Sequence, residues 1–192
     1  MSNGKPKKKS LLSLWLLVAL CVAPVVASYV AYYLWPPSGK VNYGELIEPR
    51  PLPDAKLALA DGTPFLWHRL KGKWVLAMAD SGNCDAYCQR KLLYLRQVRL
   101  AQGKEMDRVE RAWLITDDAN PPAAVVDAIQ GTWLIRAGGS ELLKFFPAKG
   151  ALADHIYVID PNGNLMMRYP RDADPRKIVK DIARLLRISS IG

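Results

Sequence analysis

From Leu11 to Trp35 the chain carries no charged side chain; the run LLSLWLLVALCVAPVVASYVAYYLW is broken only by Ser13, Pro24 and Ser28. As a helix this stretch rises roughly 37 Å at 1.5 Å per residue, enough to cross a bilayer with some tilt. Lys5, Lys7, Lys8 and Lys9 precede it. Positive residues beside a span stay on the cytoplasmic side, so residues 1–10 form a cytoplasmic tail and residues 11–35 a transmembrane anchor, with Tyr32, Tyr33 and Trp35 at the far interface. The expected location is the cell inner membrane, crossed once, with the C-terminal domain in the periplasm. Two other readings stay open. A cleaved signal peptide needs a shorter apolar core and a small-residue cleavage site, for which Val26-Ala27-Ser28 is a poor candidate because apolar residues continue beyond it. A lipid-modified Cys21 would follow Leu20, where lipoprotein signals usually have Gly or Ala.

The tail also accounts for part of the charge. The chain has 27 basic and 18 acidic residues, a formal +9, of which the four lysines contribute +4 and residues 36–192 the remaining +5. A hydrophobic share of 50% excludes a disordered chain, and three cysteines are too few for a disulfide-dense scaffold. No glycine-rich phosphate loop and no strip of interleaved aromatic and basic residues is present, so no nucleic-acid partner is expected. Two histidines give little support to a hydrolase triad.

Residues 36–56 hold five of the fourteen prolines and little periodicity, which reads as a stiff, extended linker. Asp61-Gly62 then marks a turn between two short strand-like pieces. From residue 57 to 192, apolar runs and amphipathic segments alternate, which predicts an α/β domain with helices covering a mixed sheet. WVLAMA (74–79) and AWLIT (112–116) read as strands buried on both faces. TWLIRA (132–137) and HIYVI (155–159) are further strands, and Pro161-Asn162-Gly163-Asn164 turns the chain into Leu165–Tyr169. Helices are predicted over 84–101, from Pro121 to about Ile129 with Asn120 as its cap, and from Pro175 onward with Ile178, Ile182, Leu185 and Leu186 on one face.

Cys84 and Cys88 stand where the strand WVLAMA gives way to a helix. A spacing of four residues on a 3.6-residue turn puts the two sulfurs near one face, where they can bridge or chelate one ion. A helix N-terminus favours thiolate at Cys84. Asn83, Asp85, Gln89 and Arg90 make the turn polar, which favours redox or metal chemistry over an inert bridge. Soft Cu(I) accepts sulfur ligands with an imidazole as a third, and His155, at the start of a strand, is the better candidate; His68 lacks any local ligand spacing. Met166 and Met167 read as core filling. Arg90, Lys91, Arg96 and Arg99 form a basic face on the cysteine helix, a solvated surface or a meeting place for an acidic partner.

NCDAYCQRKLLYLRQV, LITDD and ADHIYVIDPNGNLMMRY together resemble the Sco family of cytochrome c oxidase assembly factors, over about residues 55–190. The resemblance implies a thioredoxin-like domain on a membrane anchor. It implies Cu(I) bound by Cys84, Cys88 and a distal histidine, and either copper delivery to, or reduction of cysteines in, the copper-site subunit of cytochrome c oxidase. Two departures matter. Asp85 and Gln89 follow the cysteines where the family has proline. The family histidine lies nine residues before the turn proline, whereas His155 lies six before Pro161. A shift of three along a strand points His155 to the opposite face and leaves Leu152 at the usual ligand position. Asp154 also stands where many thioredoxin-like proteins have a cis-proline, and a carboxylate there, if near Cys84, opposes thiolate formation. The readings that stay open are therefore copper chaperone, membrane-bound thiol-disulfide oxidoreductase acting on another extracytoplasmic thiol client, and a non-catalytic docking module with a static disulfide.

Overall fold

The computed structural model describes residues 9–34 and 42–191. They fall into two units divided after Val41. The first is a single helix, α1 (Lys9–Leu34), with Pro24 inside it. Over Leu11–Leu34 it is long and apolar enough to cross a membrane. Trp35 and the lysines at 5, 7 and 8 lie outside the described residues.

The second unit is built on one eight-stranded sheet. Its strands are β1 (Glu45–Pro51), β2 (Lys56–Leu59), β3 (Pro64–Leu66), β4 (Trp74–Asp80), β5 (Val109–Ile115), β6 (Trp133–Arg136), β7 (Ile156–Ile159) and β8 (Asn164–Tyr169). Across the sheet they run β1-β8-β7-β4-β5-β6-β2-β3. The centre is parallel, with Trp74 opposite Val109 in β4 and β5 and Ala112 opposite Trp133 in β5 and β6. β7 is antiparallel to β4, and β8 to β7. The helices are α2 (Ala86–Leu100), α3 (Ala123–Ala128) and α4 (Pro175–Ile188).

The unbroken apolar runs of β4 and β5 arise because both sheet faces are covered. On one face Leu76, Met78, Trp113 and Ile115 pack with Leu92, Leu95 and Val98 of α2 and with Ile178, Ile182 and Leu186 of α4. On the other, Val75, Ala77, Leu114 and Ile135 pack with Phe65, Trp67, Leu142 and Phe146. The strand period of two sorts β7 in the same way, Ile156 and Val158 to the first face and Tyr157 and Ile159 to the second.

Three local expectations change. Residues 45–51, read as linker, form edge strand β1, paired with β8 from Glu45 opposite Arg168 to Pro51 opposite Asn164. An edge strand tolerates Pro49 and Pro51 because one side of its ladder is unpaired, and the pairing slips between Leu46 and Arg50. The third helix begins at Ala123 with Pro122 as its cap, and Asn120 serves instead as an acceptor for Arg136. The cysteine helix starts two residues later than its periodicity indicates, after Asp85. Met167 is buried in the core, and Met166 packs against it partly buried.

Candidate functional site: the cysteine pair and its surroundings

At the C-terminal end of β4 the chain turns through Asp80-Ser81-Gly82-Asn83 into α2. The turn is clamped by the segment that follows β5. Gly82 donates its N–H to Asp117 Oδ1 at 2.9 Å, and that oxygen also accepts from Ala119 N at 3.2 Å. Hydrogen bonds from the Ser81 side chain and the Gly82 backbone hold the Asp117 carboxyl below its ordinary range. The approach leaves no room for a side chain, since a Cβ on Gly82 would stand 2.1 Å from the Ala119 carbonyl oxygen.

Cys84 sits just outside α2, with φ +45°, a left-handed conformation costing an ordinary residue about 1–2 kcal/mol. Its N–H reaches Ser81 O at 3.2 Å, and its carbonyl accepts from Gln89 Nε2 at 3.0 Å. Asp85 caps the helix by accepting from Cys88 N at 2.8 Å. Asp85 therefore stands as N-cap, where proline would supply no carboxylate, and the cap turns Cys88 back under Cys84. The two form a disulfide with Cα atoms 5.0 Å apart. The polar neighbours do not expose it. Cys84 is 2% accessible and Cys88 fully buried, both packed in the cluster with Leu92 and Leu95.

Lys91, expected on a solvated basic face, is instead 2% accessible. It lies one turn beyond Cys88 and reaches inward. Its Nζ donates to Asp80 Oδ2 at 2.7 Å and to the Ala153 carbonyl. Burial pulls the ammonium below its ordinary range and the bond to Asp80 pulls the other way. Tyr87 acts beside it, donating its hydroxyl to Asp154 O at 3.3 Å and accepting from Asp172 N at 3.2 Å. Arg90, Lys91 and Arg171 surround its ring within 5.0–5.3 Å of the centroid. The cysteine helix thus grips the short 3-10 turn Leu152–Asp154 that precedes β7. The Asp154 carboxylate is turned to Ala151 N at 3.2 Å and to Arg171 at 3.4 Å. Sequence reading missed Lys91 and Tyr87 as site residues. The available signal was a lysine among the leucines of the α2 stripe.

The structure brings Cys84 and Cys88 together and does not bring His155 to them. His155 is extended at the mouth of β7 and its ring packs edge-on against Tyr157, 5.9 Å between centroids, on the face opposite the cysteines. Both ring nitrogens are engaged: Nδ1 with Tyr169 O at 2.9 Å, and Nε2 as acceptor from Lys149 N at 3.2 Å. Strand alternation does not explain this placement, because Leu152–Asp154 is a 3-10 turn and not strand. Leu152 packs with the second cluster and supplies no ligand. Among the described residues no group of three or more His, Cys, Asp or Glu side chains is placed to hold a metal ion. A three-ligand copper site built from Cys84, Cys88 and His155 therefore does not fit these residues. His68 lies elsewhere, paired with Asp54 at 3.3 Å.

Residues 74–189 match the family model described as the transmembrane-like, thioredoxin-like, C-terminal domain. No curated protein matches the chain. Among solved structures, copper-bound ScoI of Bradyrhizobium japonicum is 20% identical with a TM-score of 0.55, over 70% of this chain and 99% of that one. Copper-bound Sco1 of yeast is 17% identical with a TM-score of 0.57, over 79% and 96%. The thioredoxin domain of a thiol-disulfide oxidoreductase from Bacteroides vulgatus is 15% identical with a TM-score of 0.52, over 74% and 99%. These likenesses establish a thioredoxin-like fold.

Proposed function

From the premise that the chain belongs to the family of transmembrane-like, thioredoxin-like C-terminal domains, we propose that it is a membrane-anchored thiol-disulfide exchange protein working through Cys84 and Cys88. The observation that carries this is the cysteine bridge at the mouth of α2 with His155 committed to the other face. In the reduced state the Cys84 thiolate attacks one sulfur of a client disulfide and the client's other sulfur leaves as thiolate. Cys88, deprotonated, then attacks Cys84 and expels the client's remaining sulfur. The client gains two electrons and two protons; the chain ends as the disulfide. The Sco resemblance supports, as the client, the cysteine pair of the copper-site subunit of cytochrome c oxidase. The lysines before α1 favour a cytoplasmic N-terminus and a periplasmic domain at the inner membrane, where disulfides form and persist.

Trapping tests this. Cys88→Ser in the full chain should accumulate a mixed disulfide through Cys84 in membranes of oxidising cells, and Cys84→Ser should not. Full activity in the Cys84→Ser, Cys88→Ser double variant would overturn exchange in favour of a static docking module.

Copper delivery is the second reading, favoured by the likeness to copper-bound ScoI. Reduced Cys84 and Cys88 offer Cu(I) two soft thiolates as cargo ligands, without His155. Cu(I) titration of the reduced chain against a competing chelator decides it: affinity unchanged by Cys84→Ser rules delivery out.

A further inference from the structure

Beside the cysteine pair, α2 and α3 leave between them an apolar groove of about 370 Å³. Leu92, Val125 and Ile129 form its floor, and Leu93, 46% exposed, forms an open wall. It begins at Gln89, whose side chain holds the Cys84 carbonyl, and follows α2 to Arg96, about two helical turns. Its polar rim is cationic. Arg90 lies over the Tyr87 ring and has a 3.7 Å pair with an exposed Asp172, and Arg96 reaches a carbonyl, Ala128 O at 3.3 Å.

A second feature raises the positive potential at the Arg96 end. Arg111, 4% accessible, donates Nη2 to Gln130 O at 2.7 Å, while its buried Nε and Nη1 have no partner. Burial first, and then repulsion from Arg99 and Arg96, pull its guanidinium below the ordinary range. A bridge buried at both cysteines also needs its partner held close before sulfur meets sulfur.

We infer that this groove docks the client segment next to the reacting cysteines, and that the segment is apolar with acidic residues, set to meet Arg90 and Arg96. This rests on the exchange reading and adds the chemistry of the client to it. Apolar side chains bury against Leu92, Leu93, Val125 and Ile129, and the carboxylates fix direction and speed encounter.

The test uses the reduced full chain in detergent micelles and two synthetic peptides with the same Cys-x-x-x-Cys disulfide. Each continues into an apolar segment of about eight residues, two helical turns, carrying two glutamates in one peptide and two lysines in the other. The acidic peptide should be reduced about tenfold faster, with a preference that shrinks as salt rises. Leu93→Asp and Arg96→Glu should each abolish the preference and leave the rate with glutathione disulfide unchanged. A cysteine-free acidic peptide, followed by fluorescence anisotropy, should bind the wild type and lose binding in both variants. Equal rates for the two peptides, or unchanged binding in the variants, overturns the groove assignment. Failure with glutathione disulfide while the cysteine-free peptide still binds overturns the exchange reading and leaves the groove standing.

Discussion

The two faces of the central sheet are built from the same strands and differ in what they can do. On the cysteine face, Ile156 and Val158 of β7 share a buried cluster with the disulfide, and polar groups frame it: Asp85 caps at Cys88, and Lys91 ties Asp80 to the turn before β7. On the other face, one residue earlier in the same strand line, His155 is an internal brace between Tyr169 O and Lys149 N. Both ring nitrogens of His155 are taken up by these backbone groups, while the two cysteines are bridged to each other.

Three perturbations probe that division, from the largest effect to the smallest. On the cysteine face, Lys91→Met leaves Asp80 and the Ala153 carbonyl without their partner and should cost about 3–5 kcal/mol in urea unfolding, with Asp80→Asn in the same chain recovering most of it. A loss below about 1 kcal/mol, the worth of a surface pair, would show that the pair does not anchor the turn. On the other face, burial pushes Tyr157 up to about 12. A tyrosine whose folded pKa is raised lends stability that is fully present below its unfolded value near 10 and is lost as pH rises toward 12. Tyr157 should therefore contribute roughly 3 kcal/mol to the fall in unfolding free energy across that window, and Tyr157→Phe should remove that share. Tyr169, on the cysteine face, is also raised by burial, so its share of the fall begins near pH 10 as well and runs on to higher pH. Finally, His155→Ala should cost about 1–3 kcal/mol by orphaning Tyr169 O and Lys149 N, without changing exchange rate or the Cu(I) affinity of the reduced chain. A drop in Cu(I) affinity would return the histidine to the metal and break the comparison.

Much of this was legible in the sequence. WVLAMA and AWLIT announce doubly covered strands because nothing in them breaks the apolar run, whereas strand period does not foresee the 3-10 turn Leu152–Asp154 that sets the approach to His155. What escaped has a common cause. Periodicity reports which side of a helix is apolar but not where a long polar side chain ends, so Lys91 looked like surface although its ammonium lies under the helix. Polar neighbours likewise made the cysteines look accessible, when Asp85 and Gln89 are spent on capping Cys88 and holding the Cys84 carbonyl. The prolines of residues 45–51 masked a strand because ladder pairing on one side only is invisible to composition.

Those same prolines have a consequence for crowding. The sheet ends on β1 and β3, and both carry proline, at Pro49 and Pro51 on one and Pro64 on the other. An open strand edge is a template on which a neighbouring copy can add its own strand, and a residue without an N–H interrupts that template. Were α1 to tether the chain in a bilayer, confinement to two dimensions would raise the encounter rate of its copies and with it the exposure of the sheet borders to stacking. Proline at both borders keeps neighbouring copies from joining into one continuous sheet.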